Sequence, residues 1–217
     1  MSLSGVYNAP MDLNAATALL HEAIELGVEH FDTAEVYGLT HNEDLLGAAF
    51  ADRRSKVFIA TKWGPMFNVE TGQRLGVDGS AANCRRAIEG SLKRLKTDYV
   101  DLYYLHRVDP KTPIEESVGA MADLVKEGKV RGIGLSEASA DTIRRAGKVA
   151  PITAVQSEYS IFTRDVETGP LAAIEEVGAS LVAFSPVGRG MLTGTLRPEA
   201  RPQETDFRTA TIPRFSE

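Results

Sequence analysis

Phe31-Asp32-Thr33-Ala34-Glu35-Val36-Tyr37-Gly38 reads as a short apolar strand that closes on a carboxylate and hands over to a loop carrying a tyrosine. Sheet backbone holds a carboxylate at a strand end, and a tyrosine on the loop beyond can face a ligand, so the stretch has the form of half a site. Other strands end in the same way. Lys62 closes Lys56-Val57-Phe58-Ile59-Ala60-Thr61-Lys62, His106 closes Val100-Asp101-Leu102-Tyr103-Tyr104-Leu105-His106, and Ser185 closes Leu181-Val182-Ala183-Phe184-Ser185. Ser136 and Gln156 end two further runs, Val130 to Ser136 and Ile152 to Gln156. The six ends lie from twenty (136 to 156) to forty-four (62 to 106) residues apart, with a helical pattern in each gap. That is βα repetition, whose period is set by structure more than by sequence identity. A doubly wound sheet gathers its polar residues near one switch point, whereas a closed barrel brings every strand end around one mouth. A polar residue at all six ends predicts an α/β barrel, although eight strands take about 250 residues and this chain supplies six.

The 217 residues are 43% hydrophobic and 25% charged, a globular composition with material for one sizeable core, and 1–217 reads as one domain. A net charge of −6 lacks the concentrated positive field that nucleic acid or an anionic membrane would need. Cys84 is the only cysteine, which removes a disulfide framework and a cysteine metal site and fits a reducing cytoplasm. The first twenty residues lack the form of a secretory leader, and no run approaches the roughly 20 apolar residues of a membrane span.

In chain order, Ala16, Leu19, Leu20, Ala23 and Ile24 fall at helical spacing behind Asp12 or Asn14 as cap, with Gly27 as stop. Thr40-His41-Asn42-Glu43 has capping-box form ahead of Leu45, Leu46, Ala49 and Phe50. Trp63 to Gly79 reads as a long irregular loop, a binding loop or lid whose Trp63, Met66 and Phe67 could line an apolar pocket. The next helix, from Ser80, carries Arg85, Arg86, Lys93 and Arg94 as a solvated face. Thr112-Pro113-Ile114-Glu115 again has the form of a cap, a first-turn proline and a box glutamate, and Gly128 and Gly178 end later helices. Val187 to Glu217 shows no clear pattern.

Tyr37, Lys62 and Asp32 together make a tunable proton donor. A free phenol has a pKa of about 10, and a nearby ammonium favours the phenolate. Asp32 would keep Lys62 charged and oriented where an unpaired ammonium is costly, and His106 would donate to a carbonyl oxygen as charge develops on it. Taken singly, each has a plainer reading: a turn-capping aspartate, a solvated lysine, a core histidine, a packed loop tyrosine. Their joint placement at successive strand ends favours the site. His21, His30 and His41 lack that placement.

These residues resemble a known family. Phe31 to Gly38 with Asn42-Glu43 is similar to the signature of aldo-keto reductases, and Thr61-Lys62 and Leu105-His106 match its other two catalytic motifs. The resemblance runs from about Ser4 to Phe215 and is nearest to bacterial reductases carrying Gly134-Leu135-Ser136-Glu137-Ala138-Ser139 and Ser185-Pro186-Val187-Gly188-Arg189-Gly190. It implies a (β/α)8 TIM barrel, a nicotinamide cofactor, usually NADPH, and a small-molecule carbonyl substrate. In the family's terms Tyr37 is the general acid, Asp32 and Lys62 tune it, and His106 orients the carbonyl. Ser136 and Gln156 would bond the carboxamide, Phe184 would stack on the nicotinamide, and Ser185, Pro186, Val187, Gly188, Arg189 and Gly190 would wrap the pyrophosphate. Glycine amides and one cation suit that last role on their own chemistry, and the pattern is not the Rossmann fingerprint.

The family pattern also has a first strand before Met1 and, after Glu217, a helix, the eighth strand and the loop that grips the adenosine 2′-phosphate. A polypeptide limited to these residues is therefore expected to bind NADPH weakly and to self-associate through open strand edges. Carbonyl reduction leads; a cofactor-binding regulatory homologue and a lyase using Lys62 as a Schiff base are the other readings.

Overall fold

All six strands expected from the sequence form, with an α-helix in each of the five gaps between them. The structure, a computed structural model, describes residues 2–5, 10–194, 208, 209 and 215. Helix α1 (Leu13–Glu25) leads into β1 (His30–Asp32), α2 (His41–Ala49) and β2 (Phe58–Trp63). A hairpin of β3 (Pro65–Phe67) and β4 (Arg74–Val77) follows, then α3 (Ala81–Leu95), β5 (Val100–Leu105), α4 (Ile114–Lys126) and β6 (Val130–Ser136). The series closes with α5 (Ala140–Gly147), β7 (Ala154–Glu158), α6 (Pro170–Glu176) and β8 (Ser180–Phe184). The main sheet runs β1-β2-β5-β6-β7-β8, and every pairing in it is parallel.

The sheet curls. Asp32 on β1 and Gln156 on β7 are separated by four strand spacings, about 19 Å if the sheet were flat, yet Gln156 Nε2 donates to Asp32 Oδ2 at 2.9 Å. Only a sheet bent into a barrel wall brings those strands together, and the six strands are consecutive staves of a (β/α)8 barrel.

Alternation along the strands sorts side chains between two layers. Ala60, Leu102, Tyr104 and Ala154 pack together on the inward face, with Val182 against them. The outward set, including Phe31, Ile59, Trp63, Tyr103, Leu105, Ile133, Leu135 and Val155, joins the helices in the main core. Helix α3 shows why its segment is helical: Cys84, Ala87, Ile88, Ser91, Leu92 and Leu95 recur at three- and four-residue spacing and are all buried. By the same parity Asp32, Lys62, Ser136 and Gln156 point inward, and the barrel wall delivers them to one mouth.

Several local expectations are corrected. The stretch after Trp63 is not irregular: β3 and β4 pair antiparallel, with a shift of register between Met66 and Phe67. Trp63 itself is fully buried and stacks on Tyr103 at a centroid distance of 6.1 Å, so it belongs to the core rather than to a pocket wall. Neither capping box forms. Thr40 sits at φ 79 without a side-chain bond to the helix, and Glu43 is engaged elsewhere. Thr112 donates to Asp109 Oδ2 while Glu115 pairs with Arg145. Asp12, by contrast, caps α1 as expected through Asn14 N and Ala15 N. Strand β8 ends one residue short of the expected end, because Ser185 takes φ 53. Beyond it Gly188–Thr193 forms a 3-10 run with a break at Arg189 and Gly190. Most of the chain after Gly194 lies outside the described residues. No helix among the described residues is long and apolar enough to cross a membrane.

Candidate active site

A cleft of about 510 Å³ opens at the carboxyl ends of the strands and is lined by His30, Asp32, Tyr37, His106, Arg107, Ser136, Gln156 and residues 182–185. Lys62 lies beneath it, fully buried. Its ammonium donates to Asp32 Oδ1, to the carbonyl of Thr33 at 2.9 Å and to Tyr37 Oη at 3.3 Å. Three N–H groups meet three acceptors, which is the whole donor inventory of a lysine, so the cation is held in place despite its burial.

Tyr37 Oη accepts from the ammonium, which turns its own proton away from Lys62 and towards the cleft. The Tyr37 ring meets His106 edge to face at a centroid distance of 5.7 Å. His106 is pushed down to about 2 by burial first, then by the Lys62 and Arg107 cations, so its imidazole is neutral across the working pH range. Its Nδ1 is buried without a hydrogen-bond partner among the described residues. An orphaned lone pair is less costly than an orphaned N–H, and this places the ring proton on Nε2. A phenol O–H and a neutral imidazole N–H therefore converge on one space, with no metal needed to polarise what sits there.

The expected cofactor residues divide. Ser136 and Phe184 line the cleft, with Arg107 Nη1 donating to Ser136 Oγ at 3.2 Å. Gln156 also lines it, and its amide nitrogen is committed to Asp32, leaving its Oε1 for a ligand. Ser185 reaches the rim, whereas Gly188 N and Gly190 N are spent on Ser185 O and Val187 O within the turn. Arg189, expected as the lone cation of that loop, pairs with Glu158 Oε2 at 2.8 Å.

Arg107 and a layer behind the site were missed. Thr33 Oγ1 donates to Asn42 Oδ1 at 2.8 Å, and Thr61 Oγ1 donates to Glu43 Oε1 at 2.5 Å. Arg94 Nε donates to Glu43 Oε2 at 2.7 Å, and Arg86 grips Glu35 with two bonds of 2.9 and 3.0 Å. Arg86 and Arg94 are thus not a solvated face but partners of buried carboxylates. One signal was present in the sequence: Thr33 and Thr61 are polar at positions that alternation assigns to the apolar helix-facing layer.

The profile of the aldo/keto reductase family matches residues 1–213. A probable aldo-keto reductase 1 of Glycine max is 46% identical over 195 residues, which are 89% of this chain and 56% of that protein. The glycerol dehydrogenase AKR11B4 from Gluconobacter oxydans superposes with a TM-score of 0.87 at 31% identity, over 99% of this chain and 66% of that one. The aldo-keto reductase AKR11C1 from Bacillus halodurans, solved in its holo form, gives 0.81 at 34% identity, over 90% and 65%. The chain thus spans a little over half to two thirds of the length of these relatives. With its curled parallel sheet and matching profile, the chain belongs to the aldo/keto reductase family.

Proposed function

We propose that the protein containing this chain reduces aldehyde or ketone carbonyls to alcohols with NADPH, with Tyr37 as the general acid. The observation that carries the reading is the buried Lys62 ammonium with all three protons engaged by Asp32, Thr33 O and Tyr37 Oη. It leaves the Tyr37 proton directed to the cleft, where a carbonyl oxygen between Tyr37 and His106 would receive two hydrogen bonds. The donor set fits a nicotinamide: Ser136 Oγ and Gln156 Oε1 offer bonds to its carboxamide and Phe184 offers an aromatic face, all on the cleft wall. When bound, such a cofactor supplies the hydride. Asp32 and Lys62 hold Tyr37, His106 steadies the oxygen as negative charge grows on it, and Tyr37 delivers the proton.

The same observation speaks against Schiff-base chemistry, because Lys62 is fully buried and already committed to three acceptors. A glycerol dehydrogenase among the structural neighbours favours a small hydroxylated substrate pair, with the alcohol formed by reduction being what that enzyme's name says it consumes. In the complete protein, Tyr37→Phe should lower kcat for carbonyl reduction by about 10² to 10⁴ with NADPH affinity unchanged. Turnover near wild type would move the acid role elsewhere, and a wild type that binds NADPH without turnover would favour the regulatory reading.

A further inference from the structure

Behind the site, two buried carboxylates belong to the two segments that must stay in register for Tyr37 to meet Lys62. Glu35 lies on the loop that carries Tyr37, and its backbone N–H donates to Lys62 O at 3.1 Å. Glu43 opens α2 and accepts from Thr61, the residue before Lys62. Both carboxylates are almost wholly removed from solvent, at 5% and 0% exposure, so each needs a cation. Arg86 serves Glu35 alone. Arg94 faces both, hydrogen-bonding Glu43 from Nε to Oε2 at 2.7 Å and standing only in ion-pair range of Glu35, with Nη2 3.7 Å from Oε1 and without a hydrogen bond among the described residues. A closed ring results: Lys62 O to Glu35 N, the Glu35 carboxylate to Arg94, Arg94 to Glu43, Glu43 to Thr61, and the peptide bond back to Lys62.

We propose that Arg94, which touches nothing in the cleft, is a positioning residue that locks the Tyr37 loop to the Lys62 strand and so sets the geometry of the proton donor. Its own setting supports this. At Gly90, one turn earlier on α3, a Cβ would fall 2.8 Å from Arg94 Nη1. Glycine costs a helix interior about 1 kcal/mol relative to alanine, and here the space is filled by the guanidinium folding back towards the two carboxylates. The planar fork is what allows one side chain to reach both acids, which a lysine point charge cannot do.

The proposal rests on the reading of Tyr37 as acid, and two measurements on the complete protein separate the two. The first is steady-state kinetics of Arg94→Met with a carbonyl substrate: kcat should fall roughly 10- to 100-fold, the scale of a small misplacement of a catalytic group, while KM and NADPH affinity stay within about twofold, and Arg94→Lys should recover only part of the loss. The second needs no turnover. Amide hydrogen exchange at Thr33 and Glu35, whose N–H groups bond Ala60 O and Lys62 O, should quicken roughly tenfold in Arg94→Met, while β6 and β7 keep their protection. If Arg94→Met does not fold because it strands a buried carboxylate, Glu43→Gln with Arg94→Met removes the tie without leaving that charge, and Gly90→Ala displaces the guanidinium with both acids intact; the same outcomes apply. Unchanged kcat, or exchange that quickens evenly across the molecule, overturns the proposal. A wild type that reduces no carbonyl refutes the functional reading, and the local exchange result then decides the positioning role alone.

Discussion

At the scale of single residues His106 has its protonation state set by what surrounds it, and the consequence can be measured. In the unfolded chain a histidine titrates near 6.5, whereas in the fold burial and two cations hold it down at about 2. Between those values the unfolded state binds a proton that the native state refuses, so the group's contribution is complete above about pH 6.5 and is lost as the pH falls. Allowing for its partial exposure, the loss between pH 6.5 and 5 should be about 1 to 2 kcal/mol. Comparing urea unfolding of wild type and His106→Asn across that range isolates the effect, since other titrating groups are common to both. A wild-type stability that changes no more than the variant's would show that His106 charges freely in the fold. Activity, in turn, should show no limb near pH 6.5 from this imidazole.

Individual elements show what could and could not be read beforehand. Five of the six strand ends named from the sequence lie at or within a residue of a real one, because apolar runs closed by a polar residue survive translation into a parallel sheet, whereas β7 continues two residues beyond Gln156 to Glu158. The hairpin after Trp63 was invisible: Pro65–Phe67 and Arg74–Val77 are too short and too mixed to alternate convincingly, and pairing with each other defines them. The capping boxes failed for a related reason. Thr40 and Glu43 have the right spacing, but Thr61 and Arg94, brought in from other elements, compete for the carboxylate and win. Within β6 the barrel interior imposes a size limit that composition alone does not reveal. A Cβ at Gly134 would lie 2.5 Å from Tyr104 Cε1 and 2.7 Å from Ala154 O, and the carbonyl cannot retreat without breaking the ladder. Gly134→Ala should therefore destabilise the fold by about 1 to 3 kcal/mol through overpacking, read as a lower urea midpoint. Tyr104→Phe with Gly134→Ala should give no relief, because the contact is with the ring edge and a main-chain oxygen rather than with the phenol.

At the scale of the whole molecule the barrel depends on closure. A barrel has no edges, yet among the described residues β1 and β8 each pair on one side only. Asp32 and Phe184, on those two strands, line the same cleft, so whatever completes the wall also completes the site. Expressed by itself, the 217-residue polypeptide would present the unpaired amides and carbonyls of His30–Asp32 and Ser180–Phe184 to solvent, together with apolar surface that a neighbouring stave would cover. Half-exposed Val182 and Phe184 lie on that flank. Two outcomes follow from the same physics. Sedimentation should show association that deepens with concentration, and NADPH should bind far more weakly than to the complete protein, because its contacts would be limited to the Ser136, Gln156 and Phe184 wall and the rim at Ser185. Restoring the lengths that the relatives possess and this chain does not should abolish the association and tighten NADPH binding together. A 217-residue polypeptide that stays monomeric and binds NADPH tightly would refute the account, and would mean that the six staves close on themselves by a route the parallel ladder does not reveal.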